Sequence, residues 1–221
     1  MTMKAPKASP GAVLADRDSA ADGLIAIGAE LHGRGWSLAT SSNYSVRLSE
    51  DPFRLLVTAS GKHKDRLTRD DFVVLDELGE PVEPGSPKSS AESMLHVVLA
   101  RQAGAGAVLH THSPWGTLLS DLNGPEGVLT LSGYEMLKAL PGVTTHDTSV
   151  DVAVLPNTQD IAAMAEELAD RLAEGDRTLT CAFLIHKHGL YTWADNLDNA
   201  RAQLEALEFL FECEGRRRGQ S

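Results

Sequence analysis

The chain has 221 residues, of which 42% are hydrophobic and 23% are charged, and this balance excludes a largely disordered chain and a fibrous protein. Twenty basic and 31 acidic side chains give a net charge of −11, which would repel the phosphates of a nucleic acid or an anionic membrane. This length lets one α/β domain bury a core without metal or disulfide support. We therefore expect one domain over residues 18–221 behind a flexible leader, residues 1–17, with no nucleic-acid or membrane partner.

The cysteine content and the hydropathy pattern indicate the cellular compartment. Cys181 and Cys213 are too few for a secreted disulfide scaffold and lack the spacing of a zinc finger. No window approaches the roughly 20 apolar residues of a membrane helix, and the amino terminus lacks the apolar core of a signal peptide. We expect a protein of the reducing cytoplasm.

The first part of the chain predicts one helix and then three strands. A capping pattern, Ser19-x-x-Asp22, precedes apolar residues at helical spacing, and Gly33 and Gly35 close the helix. Three short runs of strand-forming residues follow, separated by turn residues. They predict a meander of strands over 44–48, 53–58 and 72–76.

Helices and strands alternate through the rest of the chain. Ser89 or Ser90 is expected to cap a helix that ends near Gly104, and Ser113-Pro114 begins the next one. Apolar periodicity predicts further helices over 133–140, over 158–174 and from about Asn196, and further strands over 107–112, 128–131, 152–155, 179–185 and 190–193. The arginines at 216–218 favour a solvated helix carboxyl end over an anion-binding patch, because cations stabilise that end of the helix dipole.

Two histidines stand at the end of a predicted strand, in His110-Thr111-His112. Residues two apart on a strand project from the same face, so these imidazoles can converge on one metal ion. An isolated pair of this kind is also found as two strand histidines that bond to their neighbours. The pair therefore predicts a metal site only with further support.

A third histidine would supply that support, because a catalytic zinc ion takes about three protein ligands and keeps one position for water or substrate. His186 and His188 are the candidates, since both follow the predicted strand over 179–185. Gly189, next to His188, allows a close approach of two backbones. Placement at a strand end favours a functional role over core packing.

Two glutamates have both a structural and a functional interpretation. Glu92 completes the pattern Ser89-x-x-Glu92, in which it would bond back to its own helix end as a capping box. Glu135 follows Ser132-Gly133-Tyr134, where an acidic residue suits a first helical turn. Either residue is also a candidate acid or base.

A polar turn after the second predicted strand could receive a phosphate. Ser60 and Gly61 offer a hydroxyl and backbone N–H groups, and Lys62 and Lys64 offer cations. The same residues would also suit an ordinary exposed turn.

Taken together and in this order, five motifs resemble the class II aldolase and adducin family over roughly residues 20–213. They are Ser42-Asn43-Tyr44-Ser45, Thr58-Ala59-Ser60-Gly61, Lys88-Ser89-Ser90-Ala91-Glu92, His110-Thr111-His112 and His188-Gly189. The resemblance implies a three-layer α/β/α sandwich around a largely antiparallel central sheet. It also implies a homo-oligomer, with a cyclic tetramer favoured, and active sites near the subunit interfaces.

Within the family the chain most resembles the methylthioribulose-1-phosphate dehydratases, through residues 60–64, 133–136 and 156–160. That resemblance implies the zinc-dependent dehydration of a phosphorylated ketose, 5-methylthioribulose 1-phosphate, in methionine salvage. The product would be 2,3-diketo-5-methylthiopentyl 1-phosphate.

The resemblance also assigns roles to individual residues. One Zn²⁺ per subunit, or another divalent metal, would be held by His110, His112 and His188, with His186 outside the ligand set. Glu135 would be the catalytic acid/base. Substrate contacts would come from six residues: Asn43, Ser60, Gly61, Lys64, Ser90 and Glu92, the last matching the catalytic base of the aldolases. Ala91 departs from the second serine that is common in the phosphate site of the family.

Two alternatives share these motifs. A class II sugar-phosphate aldolase or 4-epimerase would use the same metal and differ in the step after proton removal. An adducin-like binding protein would keep the fold without catalysis, but a scaffold has no need of three metal-binding histidines.

Overall fold

The structure is a computed structural model that describes residues 14–219 of the chain. Its centre is one eight-stranded sheet, with strands β1 (Asn43–Glu50), β2 (Phe53–Thr58), β3 (Phe72–Leu75), β4 (Ala107–Thr111), β5 (Val128–Ser132), β6 (Ser149–Leu155), β7 (Ala182–Ile185) and β8 (Gly189–Ala194). Five α-helices pack on it, namely α1 (Arg17–Gly33), α2 (Ser93–Gln102), α3 (Pro114–Leu122), α4 (Ile161–Ala173) and α5 (Leu197–Arg218).

The strand directions decide which chain segments meet. The order across the sheet is β3-β2-β1-β4-β8-β7-β6-β5, and every neighbouring pair is antiparallel except β6 and β7. Consequently β4 and β7 run in the same direction, and Thr111, Ile185 and Gly189 lie at one end of the sheet, here called the upper end. The carboxyl end of β5, at Ser132, lies at the opposite, lower end.

Helices cover both faces of the sheet. Helices α1, α3 and α5 pack on one face in a core that includes Leu24, Leu119 and Leu207. Helices α2 and α4 pack on the other face, where the core includes Leu95 and Leu168. The central strands are buried on both faces, which is why β4 and β7 read as continuous apolar runs. The predicted α/β/α sandwich around a largely antiparallel sheet is confirmed.

All eight predicted strands are present, but the first helix begins earlier than the Ser19 pattern predicts. Asp16 is its capping residue, and its carboxylate accepts a hydrogen bond from the backbone N–H of Ser19 at 3.0 Å. The N–H groups of Leu14 and Ala15 both donate to the carbonyl of Leu48. The last residues of the predicted leader are therefore bonded to β1, and residues 1–13 of that leader lie outside the described part of the chain.

The second helix begins later than predicted, at Ser93 rather than directly after Ser89 or Ser90. Ser89 forms a β-bridge with Ala59, and the Ser60 N–H donates to the carbonyl of Lys88. These contacts hold residues 88–90 against the end of β2 as extended chain. The predicted capping box is wrong, because the Glu92 side chain makes no bond to the end of its helix.

The remaining differences are local. Strand β7 is shorter than predicted because Arg177–Leu179 form a 3-10 turn, and the short helix expected over 133–140 is a 3-10 turn at Glu135–Ala139. Helix α4 begins at Ile161 after its cap, Asp160. The three terminal arginines end α5 and form ion pairs with Glu212 and Glu214 of the same helix, which agrees with the helix-end interpretation. Within residues 14–219, no helix has both the length and the apolar character that a membrane crossing requires.

Candidate metal centre

His110 in β4 and His112, the first residue after it, project to the same side, as the alternation of strand residues predicts. Thr111 between them faces the other side, where its hydroxyl donates to Glu208 of α5. The Nε2 atoms of the two histidines are 2.8 Å apart, and His110 is fully buried. The end of one central strand therefore presents two imidazole nitrogens to one point.

His188 joins this pair from the turn between β7 and β8. Its Nε2 lies 3.1 Å from Nε2 of His112, and the ligand nitrogens of all three histidines lie within 4.8 Å of one another. The turn can approach β4 because Gly189 has no side chain: a Cβ there would lie 2.0 Å from the carbonyl oxygen of Thr111. His186 faces Asp121 instead, with 3.4 Å between Nε2 and Oδ1, and lies outside the cluster.

His110 and His112 are held in the neutral state that a metal ion requires. His110 Nδ1 donates to the carbonyl of Leu190 at 2.9 Å, which leaves the Nε2 lone pair directed into the cluster. Burial, with the adjacent His112 and His188, lowers the pKa of His110 well below its usual value. Burial, with His188 and Lys64 nearby, lowers the pKa of His112 to about 4. Neutral imidazoles with converging lone pairs fit a divalent metal.

Glu92 adds a carboxylate to the histidines, which its interpretation as a helix cap did not predict. Its Oε2 accepts hydrogen bonds from Asn43 Nδ2 at 2.8 Å and from the Tyr191 hydroxyl at 2.9 Å. The same oxygen lies 3.5 Å from His110 Nε2, and Oε1 lies 3.6 Å from His188 Nε2. Among the described residues, none donates a hydrogen bond to Oε1, so this oxygen is the one available for chemistry.

Two residues of the site, Tyr191 and His96, have no role in the sequence analysis. The Tyr191 ring stacks on His110, with 4.0 Å between ring centroids, and burial together with Glu92 raises the pKa of its phenol well above the usual value. Tyr191 is therefore a permanent donor to Glu92. His96 lies four residues after Glu92, and that spacing on a helix face is the signal that could have indicated it.

A small cavity of about 190 Å³ lies directly beside the histidines. Five of the six predicted substrate residues line it together with His112 and His188; they are Asn43, Ser60, Gly61, Ser90 and Glu92. The turn that carries Ser60 depends on Gly61, whose φ of +72° suits glycine. The structure thus brings most of the predicted substrate contacts to the predicted metal ligands.

Lys64, the sixth predicted substrate residue, lies near His112 but does not line this cavity. It is 1% exposed, and its Nζ donates to the carbonyl of Lys62 at 2.7 Å. Burial lowers the pKa of its amine to about 8. Lys62 itself forms an ion pair with Asp71.

Glu135 is not brought to the histidines of its own chain. It follows β5, the edge strand four positions from β4, at the lower end of the sheet. Four strand spacings amount to about 19 Å. Its exposed carboxylate contacts Lys138 and His146, and the Lys138 hydrogen bond is the main cause that lowers its pKa. Within one subunit, these contacts match the structural interpretation of Glu135.

A sequence model described as the class II aldolase and adducin N-terminal domain matches residues 22–214. The chain belongs to the class II aldolase and adducin family. Within this family, the methylthioribulose-1-phosphate dehydratase of Pseudomonas fluorescens (strain Pf0-1) is 46% identical over 199 residues, which cover 90% of this chain and 93% of that protein. The protein of the same name from Pseudomonas aeruginosa (strain UCBPP-PA14) is 47% identical over 200 residues, or 90% of this chain and 95% of that one.

Solved structures of class II aldolase proteins share the fold. YgbL from Klebsiella pneumoniae, a putative aldolase/epimerase/decarboxylase, superposes with a TM-score of 0.74 at 24% identity, over 90% of this chain and 89% of that one. An L-fuculose 1-phosphate aldolase superposes with a TM-score of 0.73 at 25% identity, over 93% and 89% of the two chains. The predicted resemblance, to the family and within it to the dehydratases, is confirmed.

Proposed function

We propose that this family member is a methylthioribulose-1-phosphate dehydratase. As a hydro-lyase it would convert 5-methylthioribulose 1-phosphate to 2,3-diketo-5-methylthiopentyl 1-phosphate in methionine salvage. The observation that carries the proposal is the 46% identity to a protein of that name across 90% of this chain. The two free cysteines agree with a reducing cytoplasm as its location.

A metal ion is the first requirement of this reaction, and three converging imidazole nitrogens fit a zinc ion. His110, His112 and His188 would hold one ion per subunit, and other divalent metals suit imidazole ligands as well. When bound, the ion would supply a Lewis acid that polarises the substrate C2 carbonyl and makes the C3 proton more acidic. The contribution of the chain is to keep His110 and His112 neutral by burial.

Glu92 is the carboxylate placed to accept the C3 proton. Asn43 and Tyr191 hold its Oε2, so Oε1 faces the cavity that would contain the substrate. The C3–H bond breaks and its proton passes to Oε1, while the electron pair forms a C2–C3 double bond and the π pair of the C2 carbonyl moves onto its oxygen. A base that is already oriented by two donors loses little entropy in this step.

The second step expels water from C4. The electron pair on the C2 oxygen re-forms the carbonyl and the pair of the C2–C3 double bond moves to C3–C4. The C4–O bond breaks, and the hydroxyl leaves as water with a proton from a carboxylic acid. The enol so formed becomes the 2,3-diketone. We assign this acid role to Glu135, and its place at the lower end of the sheet requires that a second copy of the chain supplies it.

A homo-oligomer, with a tetramer favoured by the family resemblance, would meet this requirement. Apolar side chains stand exposed beside Glu135, namely Met136 and Phe209 at 38% and 48%. Exposed apolar residues around a cavity are typical of interaction surfaces. This surface gives a second copy an apolar region on which to pack.

The phosphate of the substrate has a separate place in the cavity. Ser60 and Ser90 offer hydroxyls, and Gly61 allows the backbone to come close to the phosphate oxygens. Lys64, buried behind His112, contributes positive potential rather than a direct contact. With its phosphate at Ser60 and Ser90 and its C2 carbonyl at the histidines, the substrate would have its C3 atom beside Glu92.

Mass spectrometry of the products tests the proposal. Purified protein is incubated separately with 5-methylthioribulose 1-phosphate, fuculose 1-phosphate and ribulose 5-phosphate, with the His110→Ala variant as control. Loss of a water molecule from the first substrate alone is expected. Metal analysis of the same preparation identifies the bound ion, and a protein that loses activity to a chelator and regains it with Zn²⁺ supports zinc.

A class II aldolase or 4-epimerase is the second candidate. The observation in its favour is that Glu92, which matches the catalytic base of the aldolases, is the carboxylate beside the histidines, whereas Glu135 is remote within the subunit. An aldolase would release dihydroxyacetone phosphate from fuculose 1-phosphate. That product, without dehydration of 5-methylthioribulose 1-phosphate, would refute the dehydratase proposal.

A further inference from the structure

A buried chain of hydrogen bonds connects the interior of the protein to Glu92. The Ser45 hydroxyl and His96 Nδ1 are 2.8 Å apart, and His96 Nε2 forms a short contact with Asn43 Oδ1. Asn43 and Ser45 are two apart on β1, so both face His96 on α2. Ser45 and His96 are fully buried, which excludes water as a substitute partner for either.

The direction of each hydrogen bond in this network can be worked out from the Glu92 carboxylate at its end. An ionised Glu92 can only accept, so the Asn43 amide must turn its Nδ2 towards it. The two amide hydrogens are then both used, by Glu92 Oε2 at 2.8 Å and by Ser90 Oγ at 3.1 Å. Oδ1 faces His96, whose Nε2–H must donate, and Nδ1 must accept from Ser45.

His96 is held in the form that this direction requires. Burial lowers its pKa to about 3, so the ring carries a single proton at neutral pH. The ring also packs edge-on against Tyr191, with 5.6 Å between centroids. His96 therefore cannot rotate freely or gain a second proton.

A reversed amide would disturb the carboxylate. Rotation of the Asn43 side chain by a half-turn would bring Oδ1 against Glu92 Oε2, and two acceptors at that distance repel each other. Glu92 would then turn away from Tyr191 or present a different oxygen to the cavity. On the interior side of Asn43, the group that favours one amide orientation over the other is the N–H of His96 Nε2, which requires Oδ1 to face it.

We propose that His96 is a positioning residue that fixes the Asn43 amide, so that Nδ2 is always presented to Glu92 Oε2 and Oε1 is left for the reaction. The proposal rests on the proposed function only in taking Glu92 as the base. The direction of the hydrogen bonds is independent of the substrate and can be measured without it.

The first test is the tautomer of His96 in the metal-loaded wild-type protein. Long-range ¹H–¹⁵N NMR spectra of protein labelled at histidine would give the ¹⁵N chemical shift of each ring nitrogen. The His96 signals are assigned as those missing in His96→Gln. We expect a neutral ring with the proton on Nε2, unchanged between about pH 6 and pH 8. A proton on Nδ1 would overturn the proposal, whatever the substrate of the protein proves to be.

The second test is a double-mutant cycle with Glu92. His96→Leu removes the donor and is expected to lower kcat at least about 100-fold with KM within about threefold, while bound metal is unchanged. His96→Gln can still donate to Asn43 and should retain activity within about tenfold of wild type. In a Glu92→Gln background the His96→Leu change should cost less than about threefold, because the group it positions is already lost.

Gln203→Leu is the matched control, since Gln203 on α5 is also buried and its Nε2 donates to the Trp193 carbonyl at 2.7 Å, far from the histidines. It should leave turnover and the His96 tautomer unchanged. An equal loss from His96→Leu in both backgrounds, or a loss of metal, would show a merely structural role. If wild-type protein dehydrates no substrate, the proposed function fails, and the tautomer alone decides this inference.

Discussion

Individual side chains of the site are defined by their protonation. His110 and His112 are neutral because burial and the nearby His188 oppose a charge, and His110 Nδ1 donates to a backbone carbonyl. Tyr191 stays protonated because burial raises the pKa of its phenol, and it donates to Glu92. Burial in a low-dielectric environment thus keeps the imidazoles neutral, as metal ligands must be, and keeps the Tyr191 hydroxyl protonated as a hydrogen-bond donor to the carboxylate.

Removal of one imidazole should remove the metal. His188→Ala leaves two nitrogens and should lose most bound metal and nearly all turnover, because two protein ligands rarely retain zinc. His186→Ala is the control, because His186 lies two residues from His188 but faces Asp121. This variant should keep its full metal content. Elemental analysis of both purified variants checks this, and full occupancy in His188→Ala would place the third ligand elsewhere.

Burial of His96 should make folding stability dependent on pH. Its native pKa is lowered to about 3, whereas an unfolded histidine titrates near about 6.5, so below pH 6.5 only the unfolded state takes up this proton. The free energy of unfolding should therefore fall as pH falls, by about 2 kcal/mol from this group between pH 7 and pH 5. Replacement by glutamine removes that contribution.

Urea unfolding of metal-free wild type and His96→Gln at pH 7 and pH 5 measures the difference. The stability of the variant should decline less between these two pH values. Equal declines in the two proteins would mean that His96 does not titrate as its burial requires.

At the scale of elements, the site depends on how closely the β7–β8 turn approaches β4. Lys187 has a φ of +54° in this turn, and Gly189 lies against the Thr111 carbonyl. The Thr117 hydroxyl, on α3, donates to the carbonyl of His188 at 2.9 Å and holds the turn from the other side. The third ligand is thus positioned by backbone packing rather than by its own side chain.

Gly189→Ala should separate the turn from β4. The added Cβ would lie 2.0 Å from the Thr111 oxygen and 3.3 Å from the His112 Cα, so the backbone must move. We expect a loss of at least about 2 kcal/mol of stability and weaker metal binding. Gly33→Ala is the control, because a Cβ there meets nothing within 4 Å. Thermal unfolding and chelator competition measure both effects, and wild-type metal affinity in Gly189→Ala would contradict the prediction.

At the scale of the whole molecule, the direction of the strands separates residues that the motifs place together. The histidines lie at the upper end of β4 and β7, and Glu135 lies beyond the lower end of β5. No small movement joins them, since three strands stand between β4 and β5. A catalytic Glu135 therefore implies an active site shared between copies.

Mixed oligomers should show this sharing directly. His110→Ala and Glu135→Gln should each be nearly inactive, but co-expressed and purified through two different tags they should recover activity. In a random mixture about a quarter of the sites would combine intact histidines with an intact Glu135 from another copy. Size-exclusion chromatography confirms the oligomer. Mixed oligomers no more active than their parents would remove Glu135 from the shared site.

Features that depend on local periodicity follow from the order of residues along the chain. Alternation on a strand predicts His110 and His112 on one face. The apolar runs predict all eight strands, because strands buried on both faces are apolar at successive positions. Two helix starts differ from the prediction, because Asp16 rather than Ser19 caps α1 and the bridge between Ser89 and Ala59 delays α2.

Which of these segments meet depends on contacts between distant parts of the chain. The sequence leaves Glu92 open between a capping residue and a candidate acid or base. In the structure it faces the histidines, where Asn43 on β1 and Tyr191 on β8 donate to it. His96 acquires its role in the same way, from neighbours about 50 residues earlier in the chain. Glu135 was separated from the histidines by strand order and direction. These pairings are made between distant parts of the chain, and hydrophobic periodicity within any one segment carries no information about them.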